Sequence, residues 1–288
     1  MANDLGISVL RSSKGAVVRS NDQLGVLYSG SLVNGDGTPF DANYDFNTFS
    51  VIPARQLFVF TVGSGQVIQG WDRALTGRRL GEVLELTIPA DQAYGSAGAP
   101  PSIPPDAPLR FRVELVGAVS AGESKAIYPS YVDLGLSKKL SKQLTALKTT
   151  ATVRKVGMDA DDRIIGGSTS DLLIGLAGRD LIEGGANADV LIGGPGRDRF
   201  VYTSLSDSPA RRGRQDELLG FQGASDKIDL SALGAAFTYV GKRTFSKAAG
   251  EVRFASGSLQ LDQDGDGRGD LELLLTGVNR FSASNLVF

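Results

Sequence analysis

A nine-residue period between residues 157 and 201 constrains this chain more than any other feature of its sequence. Each of its five copies begins with Gly, carries Asp at the sixth place and has a large apolar residue at the eighth. The acidic residues are Asp162, Asp171, Asp180, Asp189 and Asp198, and the apolar ones are Ile164, Leu173, Ile182, Leu191 and Phe200. Such a period predicts a stack of like units, because no single repeat can bury its apolar residue alone.

Each repeat divides into a Gly-rich turn of six residues and a three-residue strand whose middle side chain points inward. We expect two repeats to close one coil, which stacks Asp162, Asp180 and Asp198 on one edge and Asp171 and Asp189 on the other. Strand spacing puts stacked carboxylates about 4.8 Å apart, where two charges repel by about 3–4 kcal/mol at an effective dielectric of 20. No aromatic residue lies between 157 and 199, so a thin aliphatic core is not expected to outweigh this repulsion without a cation.

The composition limits which cation and which chemistry are available. The chain has no Cys and no His, which excludes disulfides, thiol or imidazole catalysis and zincin-type proteolysis. A metal must be held by oxygen atoms, which favours Ca²⁺ or Mg²⁺. The formal net charge of −2 gives no case for nucleic acid. We find no apolar run long enough to span a membrane, and the start at Met1 lacks the pattern of a cleaved signal peptide.

The repeats resemble the RTX nonapeptide, which builds a Ca²⁺-binding parallel β-roll. The resemblance implies calcium ligands at the first, third and sixth places of each repeat, and about three sites, between repeats 157/175, 166/184 and 175/193. The implied ligand positions are Gly157, Asp159, Asp162, Gly166, Ser168, Asp171, Gly175, Ala177, Asp180, Gly184, Ala186, Asp189, Gly193, Pro195 and Asp198. The alternative is a metal-free β-solenoid.

Residues 198–288 resemble the domain that follows such repeats in serralysin-like secreted proteases, through stretches such as 200–202, 206–208 and 226–231. The family's protease half has no counterpart here, because its zinc ligands are His. Another matching stretch is rich in carboxylates, and it is either one more calcium site or a polar hairpin turn; its acidic residues are Asp262, Asp264, Asp266 and Asp270. Leu273 stands where an EF-hand loop has its twelfth-place Glu. The resemblance implies an uncleaved type I secretion signal near the end, where Asn285 replaces the usual acidic residue, and hence a secreted bacterial protein with the type I machinery as partner.

The region before residue 118 has a different pattern. Residues 57–62, 82–88 and 109–116 read as strands, and the last alternates well between polar and apolar residues. Val67, Trp71 and Leu75 recur at helical spacing, and Gly77 ends that pattern. This pattern predicts a twisted antiparallel sheet covered by one short helix.

Residues 5–117 resemble the FKBP-type peptidyl-prolyl isomerases. Seven stretches match in the family's order: Leu27-Tyr28-Ser29-Gly30, Pro39-Phe40-Asp41, Phe58-Val59-Phe60, Val67-Ile68-Gln69-Gly70-Trp71, Ala93-Tyr94-Gly95, Ile103-Pro104-Pro105 and Phe111-Arg112-Val113-Glu114-Leu115. The family fold is a half-open antiparallel sheet wrapped on a short helix. The resemblance implies a prolyl isomerase that binds proline-containing peptides.

The implied proline pocket has Trp71 as its floor, polar contacts from Asp41 and Tyr94, and the Ile68 backbone N–H for a substrate carbonyl. The full set of implied catalytic residues is Tyr28, Phe40, Asp41, Phe58, Val67, Ile68, Trp71, Tyr94 and Phe111. The alternative is that these are ordinary core residues, which we prefer for Phe60 and Val113. About eight extra residues lie between Asp41 and Phe58, and they either extend the substrate groove or cover it.

Residues 118–156 are predicted to be a basic linker with a short helix. Leu136, Leu140, Leu144 and Leu147 form its apolar stripe, Ser137 is a candidate N-cap, and Lys138, Lys139, Lys142 and Lys148 form a solvated face. The sequence thus predicts a mainly β protein of two domains: an FKBP-like domain at 1–117, and at 157–288 a calcium-binding parallel β-roll with a β-rich C-terminal cap. Two functions remain open, an exported prolyl isomerase and a non-catalytic, calcium-dependent binding or adhesion protein.

Overall fold

The computed structural model describes residues 4–52, 55–147, 153–234 and 236–288. The chain divides into two compact units, Met1–Ser137 and Lys138–Phe288. Both units are rich in β-structure, and their helices are short.

The first unit is built on a seven-stranded antiparallel sheet. The strands of this unit are β1 (Gly6–Arg11), β2 (Gln23–Leu32), β3 (Pro39–Ala42), β4 (Tyr44–Asp45), β5 (Ser50–Val51), β6 (Phe58–Thr61), β7 (Val83–Ile88), β8 (Leu109–Val119) and β9 (Ala126–Ile127), and all except β4 and β5 belong to the sheet. The main order is β1-β7-β8-β2-β3, with β6 also pairing with β2 and β9 with β8. Strands β4 and β5 form a separate hairpin.

One helix, α1 (Gln69–Leu75), packs on this sheet. Its buried side, which includes Trp71 and Leu75, joins a core made by the inward-facing residues of β2, β7 and β8. The helix stops because Gly77 takes a φ of +83°, a left-handed conformation that is inexpensive only for Gly. Short 3₁₀ turns follow β7 at Ala90–Gln92 and Gly95–Ala97.

Part of the interval predicted to be a linker is built into the first unit. Strand β8 continues to Val119, and β9 pairs with its end. Leu134 and Leu136 are buried, and a Cβ on Gly81 would lie 2.7 Å from Leu134. The predicted helix is present as α2 (Lys138–Leu147) at the start of the second unit. Lys148 and the side chain of Leu147 lie outside the described residues.

The second unit contains two long sheets whose strands alternate along the chain. Its strands are β10 (Val153–Val156), β11 (Arg163–Gly167), β12 (Asp171–Ile174), β13 (Leu181–Gly185), β14 (Val190–Ile192), β15 (Arg199–Val201), β16 (Asp216–Leu219), β17 (Lys227–Asp229), β18 (Thr238–Gly241), β19 (Glu251–Ala255), β20 (Ser258–Asp262), β21 (Leu271–Thr276) and β22 (Leu286–Val287). The sheet orders are β10-β12-β14-β16-β21-β20-β19-β18 and β11-β13-β15-β17-β22. Further 3₁₀ turns lie at Ser231–Leu233 and Ala283–Asn285.

Through the repeats all strand pairs are parallel, and partners lie two repeats apart. Arg163 is opposite Leu181, and Leu172 is opposite Val190. The eighth-place side chains point between the sheets, and all five are 0% exposed: Ile164, Leu173, Ile182, Leu191 and Phe200. The nine-residue period therefore builds a narrow apolar core, aliphatic except for Phe200, between two sheets that are parallel through the repeats.

The C-terminal part extends both sheets. β19, β20 and β21 form antiparallel pairs, while β21 joins β16 and β22 joins β17 in parallel. Aromatic residues return here, where Phe254 stacks on Phe281 with ring centroids 5.0 Å apart. In the part of the chain that the structure describes, no helix has the length and apolarity to cross a bilayer.

Candidate functional site

The first candidate site is a cavity of about 410 Å³ between α1 and the inner face of the first sheet. The structure brings all nine residues of the predicted proline pocket to this cavity: Tyr28, Phe40, Asp41, Phe58, Val67, Ile68, Trp71, Tyr94 and Phe111. Gln66 also lines it, a residue that the sequence analysis missed because it precedes the matched stretch. Phe60 and Val113, which we assigned to the core, are buried away from the lining.

Trp71 lies at the bottom of this pocket and is surrounded by aromatic rings. Its ring meets Tyr28, Phe111 and Phe58 edge-on, with centroid separations of 5.4, 5.2 and 6.1 Å. Edge-to-face contacts of this kind fix ring orientation. The indole Nε1–H of Trp71 is buried and has no hydrogen-bond partner among the described residues. The floor therefore presents an apolar face and one unused donor.

Tyr28 and Asp41 form the polar wall of the pocket and are joined by a short hydrogen bond. The Tyr28 hydroxyl donates to Asp41 Oδ2 at 2.6 Å. Burial, and then this carboxylate, raise the pKa of Tyr28 above its usual range, so Tyr28 keeps its proton. Asn43 supports the same strand, because its Oδ1 accepts from the Tyr28 backbone N–H at 2.6 Å. Arg55 lies 3.8 Å from Asp41 at the exposed rim.

Two further groups face the opening. The Ile68 backbone N–H, at the start of α1, has no hydrogen-bond partner within the described part of the chain. Tyr94 is 42% exposed and stands in the loop after β7. The pocket lining thus includes Ile68, whose N–H has no partner among the described residues, and the exposed Tyr94.

Among the described residues between Asp41 and Phe58, none lines this pocket. They form the β4–β5 hairpin, and their aromatic side chains Tyr44, Phe46 and Phe49 are buried at 5–6% exposure. Neither expectation for the insertion holds for these three residues, because they pack inward instead of covering or extending the groove. Tyr44 and Phe46 line a different cavity.

The second candidate site is a pair of aspartate columns along the repeats. One column contains Asp162, Asp180, Asp198 and Asp226, and the other contains Asp171, Asp189 and Asp216. In each step the backbone N–H of one Asp donates to Oδ1 of the next, as from Asp171 to Asp189 at 2.7 Å. We call these the first and second columns.

The other carboxylate oxygen is unsatisfied in the middle of both columns. Asp171, Asp180, Asp189 and Asp198 are each 1% exposed, and the Oδ2 atom of each has no partner in the described structure. Burial raises the pKa of Asp180 to about 7, of Asp189 to about 8 and of Asp198 to about 6. Buried charges normally have partners, so these four oxygens have the chemistry expected of cation ligands.

The Gly at the first place of each repeat lies close to the carboxylate of the sixth-place Asp. A Cβ added to Gly157 would lie 2.5 Å from Asp162 Oδ2 and 2.5 Å from the carbonyl oxygen of Gly175. The corresponding position at Gly166 approaches the Gly184 carbonyl and Asp171 Oδ2. Carboxylate and carbonyl oxygens therefore converge where a side chain would be, and such oxygens are the ligands that Ca²⁺ prefers.

The columns extend beyond the repeats through Asp216 and Asp226, which the sequence analysis missed. They lie 27 and 28 residues after their predecessors, so an inserted loop breaks the period that would have identified them. Protein groups already occupy their second oxygens, since Tyr202 donates to Asp216 at 3.1 Å and the Gln222 N–H to Asp226 at 2.7 Å.

The predicted ligands outside the columns have varied surroundings. Among the described residues Asp262, Asp264 and Asp270 bring carboxylate oxygens within 4.8 Å of one another. Both oxygens of Asp262 accept backbone N–H groups, from Gly265 and Gly267. Asp266 lies outside this cluster, and its Oδ1 accepts from the Arg268 N–H. The remaining predicted ligands lie on the turns: Asp159, Ser168, Ala177, Ala186 and Pro195. The carbonyl of Ser168 accepts from Asn187 Nδ2, and that of Pro195 accepts from the Gly178 N–H.

Comparison with known families assigns a class to each unit. Residues 15–116 match the FKBP-type peptidyl-prolyl cis-trans isomerase family, and residues 148–288 match the C-terminal domain of the serralysins, peptidase family M10. The chain therefore contains an FKBP-type domain followed by a serralysin-like C-terminal domain.

Curated relatives match the first unit. The peptidyl-prolyl cis-trans isomerases FKBP2 of Mus musculus and Homo sapiens are each 46% identical over 98 residues, which is 34% of this chain. FK506-binding protein 4 of Dictyostelium discoideum is 45% identical over 98 residues, or 24% of its own length. The match spans 63% of the mouse protein and 62% of the human one, so the chain spans less than two thirds of these relatives.

Proposed function

We propose that the first unit is a peptidyl-prolyl cis-trans isomerase acting on X-Pro bonds. The observation that carries this proposal is the cavity over Trp71, which collects nine expected residues at one place. The match to FKBP-type isomerases at 46% identity supports the same activity.

The pocket suits a reaction that breaks no covalent bond. The barrier to rotation is about 18–20 kcal/mol, because the peptide C–N bond is partly double. Twisting the bond removes charge separation, so the twisted state is less polar than the planar amide. An apolar floor such as Trp71 with Phe111 stabilises it relative to the ground state, and a reduction of about 5 kcal/mol accelerates the reaction several thousandfold.

The polar groups position the substrate in this proposal. The Ile68 N–H donates to a substrate carbonyl and holds the chain on one side of the proline. The Tyr28–Asp41 pair keeps the Asp41 carboxylate oriented along one wall. No nucleophile or general base is required, in agreement with a chain that lacks His and Cys.

An isomerase assay on a short X-Pro peptide tests this function. We expect the full chain to accelerate isomerisation, and Trp71→Ala to lose at least about tenfold in kcat/KM. Because Trp71 is a core residue whose truncation costs about 3–5 kcal/mol, Asp41→Asn serves as a second variant with an unchanged core. A wild-type rate equal to the uncatalysed rate would refute the isomerase.

The second candidate function is a secreted, calcium-dependent binding or adhesion protein. It uses the same pocket to hold a proline-containing ligand without turnover, and the solvent-exposed Tyr94 at the rim is compatible with it. A peptide that changes Trp71 fluorescence on binding but isomerises at the uncatalysed rate would favour this function.

We propose that the second unit is a calcium-binding parallel β-roll of the RTX type. The four unsatisfied buried oxygens of Asp171, Asp180, Asp189 and Asp198 carry this proposal, and the serralysin C-terminal match supports it. A bound Ca²⁺ supplies positive charge between successive turns. The Asp carboxylates, with backbone carbonyls such as those of Gly175 and Gly184, would hold the ions. The Asp262–Asp264–Asp270 cluster remains a candidate for a further ion.

We further propose that this module serves type I secretion of a bacterial protein, as the serralysin-like match suggests. Low calcium keeps the repeats unfolded for export, and extracellular calcium folds them; extracellular modules bind at about 10⁻⁴–10⁻³ M. A circular-dichroism titration of the full chain tests the module. Identical spectra in chelator and in millimolar Ca²⁺ would contradict it.

A further inference from the structure

A second cavity of the first unit lies behind the proline pocket. It has a volume of about 450 Å³. Ser29 and Ser31 of β2 and Arg110 and Arg112 of β8 form its floor. They alternate along these strands with the pocket residues Tyr28 and Phe111, and so face the opposite side of the sheet. We call this space the back cavity.

The segment between Asp41 and Phe58 builds the wall of the back cavity. Tyr44 and Phe46 line it from the β4–β5 hairpin, with ring centroids 4.9 Å apart, and Ile52 adds an aliphatic side chain. Both rings are buried. The insertion that the proline pocket does not use therefore encloses a concave surface with an apolar side.

The lining of the back cavity carries two positive and two negative side chains, Arg110, Arg112, Asp45 and Glu85, and the exposed Arg110 is the one whose charged group has no contact among the described residues. Arg112 pairs with Glu85 at 3.3 Å, and both oxygens of Asp45 accept local donors, the Asn47 N–H and the Thr48 hydroxyl. Arg110 has neither an ion pair nor a hydrogen bond among the described residues. The cavity thus combines a free guanidinium with an apolar wall.

We propose that the back cavity binds an organic carboxylate that carries an aromatic or other apolar body. The planar fork of Arg110 matches a carboxylate in two-point geometry, and the hydroxyls of Ser29 and Ser31 lie on the same floor to donate further bonds. The Tyr44 and Phe46 rings receive the apolar body. The cavity volume lies within the range of small-ligand sites.

Two sources can supply this chemistry, a free aromatic acid and the C-terminal carboxylate of a peptide. The probes are 3-phenylpropionate and the peptide Gly-Gly-Phe, each compared with its amide. Backbone amide NMR shifts of the full chain in calcium report binding. We expect shifts at Ser29, Ser31 and Arg110 with at least one of the two acids, and at least about tenfold weaker binding of the matching amide.

The matched variants are Arg110→Gln and Arg19→Gln, which remove the same charge inside and outside the cavity. We expect Arg110→Gln to weaken binding at least about tenfold and Arg19→Gln to leave it unchanged. Absence of shifts with both acids at about 20 mM, equal affinity for acid and amide, or undiminished binding by Arg110→Gln would overturn the proposal. Arg110 does not touch the proline pocket, so the isomerase rate of Arg110→Gln should equal that of wild type, and loss of one function is distinguishable from loss of the other.

Discussion

The two units of this chain treat buried polar groups in opposite ways. In the first unit the buried Arg11 bonds the Gly81 carbonyl and Glu114, and Asp22 accepts backbone donors from Arg19 and Ala121. In the second unit four buried carboxylate oxygens have no partner among the described residues. The two units therefore differ in what satisfies their buried polar groups. In the first unit other protein groups do so, and in the second unit the described residues leave four oxygens unsatisfied.

In both units the buried side-chain polar atoms that lack a hydrogen-bond partner among the described residues lie at the candidate sites. Trp71 Nε1 is the unpartnered buried side-chain atom of the described first unit, and the corresponding atoms of the second unit belong to the aspartate columns. Burying one uncharged N–H without a partner lowers the free energy of unfolding only modestly, and a stable domain tolerates it. Burying several carboxylate charges without a counter-ion costs far more. We therefore expect only the second unit to depend on its ligand for folding.

Calcium removal should separate the two units most strongly. At 10 mM Ca²⁺ and a Kd of about 10⁻⁴–10⁻³ M, each ion adds about 1.4–2.7 kcal/mol to the free energy of unfolding. We expect chelation to abolish the β-signal of the second unit in circular dichroism. Fluorescence of Trp71, the single Trp of the chain, and isomerase activity should persist. If the β-signal of the second unit and the Trp71 fluorescence were lost at the same calcium concentration, the expected difference in calcium dependence between the two units would be wrong.

The pH dependence of the calcium-free protein should be inverted relative to the usual one. Folding raises the pKa of Asp180, Asp189 and Asp198 to about 7, 8 and 6, so the folded unit binds more protons than the unfolded chain. Its stability is full below about pH 4 and is lost as pH rises to about 8. We therefore expect the calcium-free second unit to show more β-signal in circular dichroism at pH 5 than at pH 8.

Calcium should reverse this trend, because protons compete with the ion for the same oxygens. Circular dichroism at both pH values, with calcium and after exhaustive removal of calcium, measures the two trends. A β-signal of the calcium-free unit that increases with pH would show that these carboxyls are solvated rather than buried.

Asp180→Asn tests at a single residue how a buried carboxylate affects the stability of the second unit with and without calcium. The substitution removes a buried charge, so it should stabilise the second unit without calcium and destabilise it with calcium, where the apparent calcium affinity should fall about tenfold. Asp161→Asn is the control, because Asp161 is exposed and pairs with Arg179. An exposed pair contributes at most about 1 kcal/mol. Equal effects of the two substitutions in a calcium titration would contradict the role of burial.

The smallest effect is expected in the first unit. Tyr28→Phe removes the donor to Asp41, and a bond to a charged group contributes about 1.5–3 kcal/mol. We expect about a tenfold loss of kcat/KM in the peptide assay, with the Tm of the first unit lowered by only a few degrees. Tyr128→Phe, at a residue that is 64% exposed and outside the pocket, should keep the wild-type rate.

The sequence predicted the parts of both sites that follow a repeated or ordered pattern. The nine-residue period located Asp162 to Asp198 and the five inward side chains, because backbone pairing copies a period directly into space. The sequence analysis did not find Asp216 and Asp226, because their distance along the chain from Asp189 and Asp198 departs from the repeat period. That distance depends on how the intervening residues fold. The pocket residues were found through resemblance, since residues as distant as Tyr28 and Phe111 carry no local signal of their neighbourhood.

The insertion shows a different limit of sequence reasoning. The apolar rings of Tyr44, Phe46 and Phe49 predict that these residues are buried. They do not predict which surface of the domain buries them. Their choice of the back of the sheet depends on the shape of β2, β3 and β8 together, which no short pattern encodes. Likewise, the turn that begins at residue 262 was recognised as acidic, but its composition did not show that both oxygens of Asp262 accept N–H groups of its own loop, from Gly265 and Gly267.

The hydrogen bonds of the aspartate columns all run in one direction. The N–H of Asp162 needs the carboxylate of Asp180, that of Asp180 needs Asp198, and that of Asp198 needs Asp226. On a ribosome the donor is always made before its acceptor, so every coil waits for the next one to emerge. Translation therefore cannot complete the hydrogen bonds of an early coil until the next coil has been made.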